Sequence, residues 1–220
     1  MLTPGPKGEI MQASLDLLIT FIVQLFILVD PLAGAPVFLA ITPHDSAAER
    51  RTMALRACFV AGGVVWFFIL AGPWVLGYFG IKTAAVRTCG GILLFAIALE
   101  MLYGRTSGTE TSPGEERLAK TKKDISITPL AIPLLAGPGT IATALLFAGR
   151  TSDPLGYIAL LLGTAVVFAS SFVILSKAEL LTRVLGKLGT TVVTRILGLV
   201  LAFLAVQYVL DGLATALGRG

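Results

Sequence analysis

Long apolar runs alternate with short polar stretches along this chain. Six runs stand out, over residues 15–42, 57–79, 84–103, 127–149, 155–176 and 192–217. Each is long enough for a bilayer-crossing helix, which needs roughly 20 apolar residues. Of the stretches between them, 43–56 is short and charged, and 80–83 and 150–154 read as turns. The stretch 104–126 is rich in Gly, Ser, Thr, Glu and Lys and is expected to be mobile. The basic stretch 177–191 is expected to hold a short interfacial helix. The pattern predicts an all-α membrane protein with six transmembrane helices. An N-terminal tail covers 1–14, three-helix units cover 15–103 and 127–217, and a short tail covers 218–220. The ten residues before Met11, rich in Pro and Gly, read as unstructured. The first run is too long for a cleavable signal peptide.

Two runs are interrupted. The first holds Val29-Asp30-Pro31-Leu32-Ala33-Gly34-Ala35-Pro36 about halfway along, and the fourth holds Pro133-Leu134-Leu135-Ala136-Gly137-Pro138-Gly139. Proline removes a backbone donor and clashes with the preceding turn, so both runs are expected to break. A backbone group freed inside a bilayer needs a partner in protein or water, never lipid. The two interruptions are therefore read together as the working site.

The two halves also match each other. Pro31 and Pro36 share the five-residue spacing of Pro133 and Pro138. Arg87, Gly90 and Phe95 align in order with Arg195, Gly198 and Phe203, and the same register pairs Gly104 with Gly212. Three spans per half invert the second half relative to the first. Inverted repeats with broken helices at matching positions point to a secondary transporter, its site near the midplane where helices 1 and 4 meet.

Composition adds the class and the orientation. Only 14% of the 220 residues are charged and 55% are hydrophobic, against about 25% charged in soluble domains. The net charge of +4 does not indicate nucleic acid, because basic residues collect in cytoplasmic loops of membrane proteins. Arg50, Arg51, Arg56, Arg105, Arg117, Lys120, Lys122, Lys123, Lys177, Arg183, Lys187 and Arg195 flank one side, and Lys7, Lys82, Arg87, Arg150 and Arg219 the other. Twelve against five places loops 43–56, 104–126 and 177–191 in the cytoplasm and both termini outside. Cys58 and Cys89 lie in apolar runs and read as free thiols, and His44, the single histidine, excludes a His-rich metal site.

Asp30 is the first candidate for chemistry. A carboxylate at mid-bilayer costs about 2.5–3.5 kcal/mol on insertion scales. It reads either as a binding group for an ammonium, a proton or a cation, or as a cap on a half-helix starting at Pro31; the two are compatible. Pro31, Gly34 and Pro36 complete the first half of the site, and Pro133, Gly137, Pro138, Gly139 and Thr140 the second. A helix restarting near Pro138 points free N–H groups at the centre, which suits a carboxylate; the bland alternative is a proline kink in a packed span. Glu100, Gln207 and Asp211 sit near span ends, placed either to line or gate vestibules or simply to reach the interface. Arg87 and Arg195 are expected to snorkel, and Trp66, Trp74 and Tyr78 read as packing or interfacial aromatics. Nucleotide-loop, Gly-x-Ser-x-Gly, Cys-x-x-Cys and His-Glu-x-x-His patterns are missing, so no enzyme, metal or cofactor is expected.

At these residues the chain resembles the MarC family of bacterial and archaeal inner-membrane proteins. The resemblance runs from Ser14 to Leu217. It is carried by Asp30-Pro31 through Pro36-Val37-Phe38-Leu39-Ala40-Ile41-Thr42, by Pro129 through Ile141, by Ile97-Ala98-Leu99-Glu100-Met101-Leu102, and by Ala205-Val206-Gln207 to Asp211-Gly212. The family is similar to LysE-like exporters, and the resemblance implies transport of small neutral amino acids such as glycine and alanine. The chain departs from the family pattern at Ala33-Gly34, where Gly-Asn is usual.

The expected function is gradient-driven transport or export of small polar metabolites, most plausibly neutral amino acids. Expected partners are the substrate, H⁺ or Na⁺, the bilayer and, given close helix packing, a second copy in a homodimer. A lipid-linked membrane enzyme would want a second intramembrane acid or base cluster. A non-transporting scaffold would tolerate Ala at Pro31, Pro138 and Gly139.

Overall fold

The computed structural model describes residues 6–104, 135–151 and 153–218. All regular structure among them is helical: α1 (Pro6–Val29), α2 (Pro31–Ile41), α3 (Ala47–Tyr78), α4 (Thr83–Tyr103), α5 (Pro138–Ala148), α6 (Pro154–Ser176) and α7 (Ala178–Ala216). Five helical stretches, with α1 and α2 taken together, are long and apolar enough to cross a membrane, and α5 is a shorter apolar helix. Pro133 and most of the stretch 104–134 lie outside the described residues.

The N-terminal expectation is corrected. Residues 6–14 are helical and extend the first helix back toward the N-terminus, with Pro6 opening it; proline suits a first turn, whose N–H has no helical partner anyway. Elsewhere local chemistry sets the boundaries. Ser46 and Glu49 form a reciprocal capping box, in which the Ser46 hydroxyl accepts from the Glu49 N–H and the Glu49 carboxylate from the Ser46 N–H at 2.8 Å. Asp153 caps α6 by accepting from the Gly156 N–H at 2.9 Å, with Pro154 in the first turn. Gly186 turns α7 out of helical geometry at φ 62°, which separates residues 178–185 from the span that follows. That short segment is helical, as expected for the basic stretch. It is tied to the start of α3 by an ion pair from Arg50 to Glu179 at 2.6 Å.

The most extensive helix pairing is α4 along α7, and small residues explain it. A carbon added at Gly91 would stand 2.7 Å from the Ala205 carbonyl oxygen. One added at Gly198 would stand 2.7 Å from the Met101 Cβ, and one at Gly212 would strike Thr88. The two backbones touch, as small-residue interfaces allow in membranes. The short helix α5 wedges between α3 and α4, with Leu145 over Gly72 and Leu146 over Gly90. Phe21 of α1 meets Phe147 of α5 with ring centroids 5.1 Å apart. Gly163 admits Phe21 between α1 and α6. The core thus sits around α5, with α1, α3, α4 and α6 about it. Phe59, Phe67, Leu70, Phe203 and Leu210 are exposed, as lipid-facing positions should be. Trp66 donates its indole N–H to the Leu161 carbonyl at 3.1 Å, and Trp74 stacks on Tyr78 at the exposed end of α3.

Candidate functional site

The first span breaks at Asp30. Its backbone sits at φ 33°, ψ 62°, and it is the one non-glycine residue with positive φ among the described residues. Pro31 disfavours a helical residue before it, and aspartate is one of the few side chains that tolerates the left-handed region. The break is sharp. The Asp30 N–H still closes α1 on the Phe26 carbonyl at 3.0 Å, and the Asp30 carbonyl already opens α2 by accepting from the Gly34 N–H at 2.9 Å. The half-buried carboxylate accepts from the Ala33 N–H at 3.2 Å and so caps α2. Thr194 of α7 lies near this carboxylate, but its buried hydroxyl oxygen makes no hydrogen bond. Pro31 and Pro36 have no N–H, so the carbonyls of Ile27 and Leu32 lose their usual helical donors. Gly34, buried one turn past Asp30, has open space where a side chain would start.

At the second break expected from the sequence, the described chain resumes at Leu135, Gly137 is extended at φ −75°, ψ 176°, and Pro138 opens α5. The Gly137 carbonyl accepts from the Thr140 hydroxyl at 2.7 Å and from the Ile141 N–H at 3.2 Å. Gly137 offers no side-chain cap, so first-turn N–H groups of α5 keep their donor capacity. A carbon added at Gly139 would lie 2.5 Å from Ile97 Cδ1 and 3.0 Å from Leu28 Cδ2. Leu28 is two residues before Asp30. The two breaks are therefore neighbours, and Gly139 is glycine because Leu28 and Ile97 occupy the space beside it.

A buried polar network lies along α1 from the first break. Gln24, fully buried, donates to the Thr143 hydroxyl of α5 at 3.2 Å and accepts from the Tyr208 hydroxyl of α7 at 2.5 Å. The Arg150 guanidinium stacks over the rings of Phe147 and Tyr208, 4.8 Å from each centroid. Gln24 and Thr143 escaped the sequence reading. The available signal was that Gln24 and Asp30 are the only amide or charged side chains within residues 17–41.

The remaining candidates lie apart in character. Gln207 is exposed and donates to the Asp211 carboxylate one turn on, at 2.7 Å. Glu100 is half-buried near the end of α4, where its carbonyl accepts from the capping Gly104 N–H. Among the described residues no cluster of His, Cys, Asp and Glu has the makings of a metal site.

The sequence model described as MarC family integral membrane protein matches residues 15–217. The chain is 35% identical over 192 residues to the UPF0056 membrane protein YvbG of Bacillus subtilis (strain 168), covering 87% of this chain and 91% of that one. It is 33% identical over 198 residues to the UPF0056 inner membrane protein YhgN of Escherichia coli (strain K12), covering 89% and 95%. A UPF0056 membrane protein of Pyrococcus abyssi (strain GE5 / Orsay) is 33% identical over 207 residues, covering 93% and 99%. No solved structure matches the chain. With its bilayer-length helices and a family match over nearly its whole length, the chain belongs to the MarC family of integral membrane proteins.

Proposed function

We propose that this protein is a gradient-driven secondary transporter or exporter of small polar metabolites, with small neutral amino acids as the substrate class. The observation that carries the reading is the contact between the two helix breaks, with Gly139 against Leu28. On one side stand the Asp30 carboxylate and the freed carbonyls of Ile27 and Leu32, and on the other the open N-terminus of α5. A zwitterion has matching poles: its ammonium suits the carboxylate and carbonyls, and its carboxylate suits first-turn N–H groups and the positive end of the helix dipole. Asp30 is also the group that would carry a coupling proton or Na⁺.

In this reading the six spans form two inverted three-helix repeats in an inner membrane, with both termini outside. The α4–α7 crossing supports that. Its contacts come in exchanged pairs: Gly198 lies against Met101 and Gly91 against Val209, and Gly104 faces Arg195 while Gly212 faces Thr88. Such exchange is expected of halves related by a two-fold axis in the membrane plane.

The test is uptake of labelled alanine into proteoliposomes, under imposed proton and sodium gradients, by wild type and Asp30→Asn. Gradient-dependent uptake by wild type that Asp30→Asn loses is the expected result. Absence of flux for every small neutral amino acid would overturn the proposal.

A further inference from the structure

A second site lies away from both breaks. The ends of α3 and α5 and the start of α4 border an open cavity of about 190 Å³, and none of the break residues lines it. Its walls are largely apolar, with Pro73, Leu76, Val86, Leu145 and Leu146 among them. Its one charged lining residue is Arg87.

Arg87 is not snorkelling freely. Its Nε is buried and has no hydrogen-bond partner, and its Nη1 makes only a long 3.5 Å contact with the Thr215 hydroxyl. No ion pair among the described residues includes it. A half-buried guanidinium with an unspent donor is costly unless an anion completes it. Thr83, one turn before Arg87, also lines the cavity and opens α4, and Lys82 before it supplies no side-chain cap. The helix start therefore adds open N–H groups and a positive dipole end on the same side. Trp74, Tyr78 and Phe79 are all exposed at this end of α3, which marks it as the bilayer interface, where aromatic belts sit.

We propose that this cavity binds the phosphodiester headgroup of an anionic phospholipid. Arg87 and the first turn of α4 hold the phosphate, and an acyl chain follows the Leu76, Val86 and Leu145 wall. A free phosphate monoester shares the oxyanion chemistry but has no use for the apolar wall or the interfacial aromatics.

Native mass spectrometry of the full chain in mild detergent, titrated with dioleoyl-phosphatidylglycerol, tests the assignment. Dioleoyl-phosphatidylcholine and sn-glycerol 3-phosphate form the comparison arms, and Arg87→Gln and Gly77→Leu are the variants. Gly77 lines the cavity and has open space at its would-be side chain, so leucine there fills the site while leaving the guanidinium untouched. The expected result is one tightly retained phosphatidylglycerol, bound about tenfold or more weakly by either variant. Unchanged affinity in Gly77→Leu or Arg87→Gln would overturn the site. Equal binding of phosphatidylcholine would overturn anion recognition, and equally tight binding of glycerol phosphate would overturn the lipid assignment.

Discussion

Substituting Asp30 by asparagine, glycine and alanine separates what its backbone does from what its charge does. At φ 33° the residue sits where a β-carbon is normally unwelcome, and a left-handed residue costs roughly 1–2 kcal/mol for an ordinary side chain. Its carboxylate also caps α2 through the Ala33 N–H, a contact whose loss costs about 1 kcal/mol. Asparagine tolerates the left-handed region and can still cap, so Asp30→Asn should unfold close to wild type. Glycine loses the cap but relieves the backbone, and the two effects of about 1 kcal/mol nearly cancel. Alanine loses the cap and keeps the strain, so Asp30→Ala should be the least stable, by about 1 kcal/mol. The assay is thermal unfolding in detergent, followed by thiol labelling of buried Cys58 in a Cys89→Ser background. All three variants should lose alanine transport, since none carries the charge. An alanine variant as stable as the glycine one would refute the strain argument. Wild-type flux in the asparagine variant would refute the role of the charge.

Further expectations concern packing, the buried network and pH. Gly91→Ala should destabilise by about 1–3 kcal/mol, because the added carbon meets backbone at Ala205 and Val209. Gly63→Ala meets nothing within 4 Å and should be neutral or gain up to about 1 kcal/mol in helix propensity; thermal midpoints compare the two. Gln24→Leu strands the Thr143 and Tyr208 hydroxyls and should cost about 1–3 kcal/mol, while adding Thr143→Val and Tyr208→Phe should recover part of that loss in a mutant cycle. At the start of α6, hydrogen bonds from the Thr151 hydroxyl and the Gly156 N–H hold the Asp153 carboxyl below its ordinary value. That contribution is full above the ordinary carboxylate range and fades as pH falls through the depressed folded value. Asp153→Asn should flatten the acid side of the stability–pH profile relative to wild type.

Spans and breaks were legible because they are local. Length and apolarity mark α3, α4 and α6, and Asp-Pro and Gly-Pro-Gly mark the turns that a helix does not pass through. A short helix was also expected in the basic stretch 177–191, though not the turn at Gly186 that ends it. The extension of α1 back to Pro6 was hidden, since Pro and Gly read as coil and nothing in their spacing announced continuation of a helix. Gln24 was hidden for another reason. A lone amide in an apolar run shows its worth only when Thr143 and Tyr208 arrive from 119 and 184 residues away. Which glycine makes the α4–α7 contact was hidden too. Sequence aligns Gly90 with Gly198, whereas the residue that meets α7 is Gly91, and Gly90 instead receives Leu146.

The α4–α7 seam also decides which parts can move. Where two backbones touch, no rotamer can flip to absorb sliding, so Gly91, Gly198 and Gly212 weld these helices into a single beam. One member of the beam precedes residues 105–134 and the other follows them. The two halves of the chain are thus pinned together and cannot rock against each other as separate bodies. The contacts of α6 with α1 and α3 run instead through side chains such as Phe21 and Phe168, which can reorient. On the proposed transport function, the cycle would turn within each half, at the breaks and along α6, around a beam that stays still.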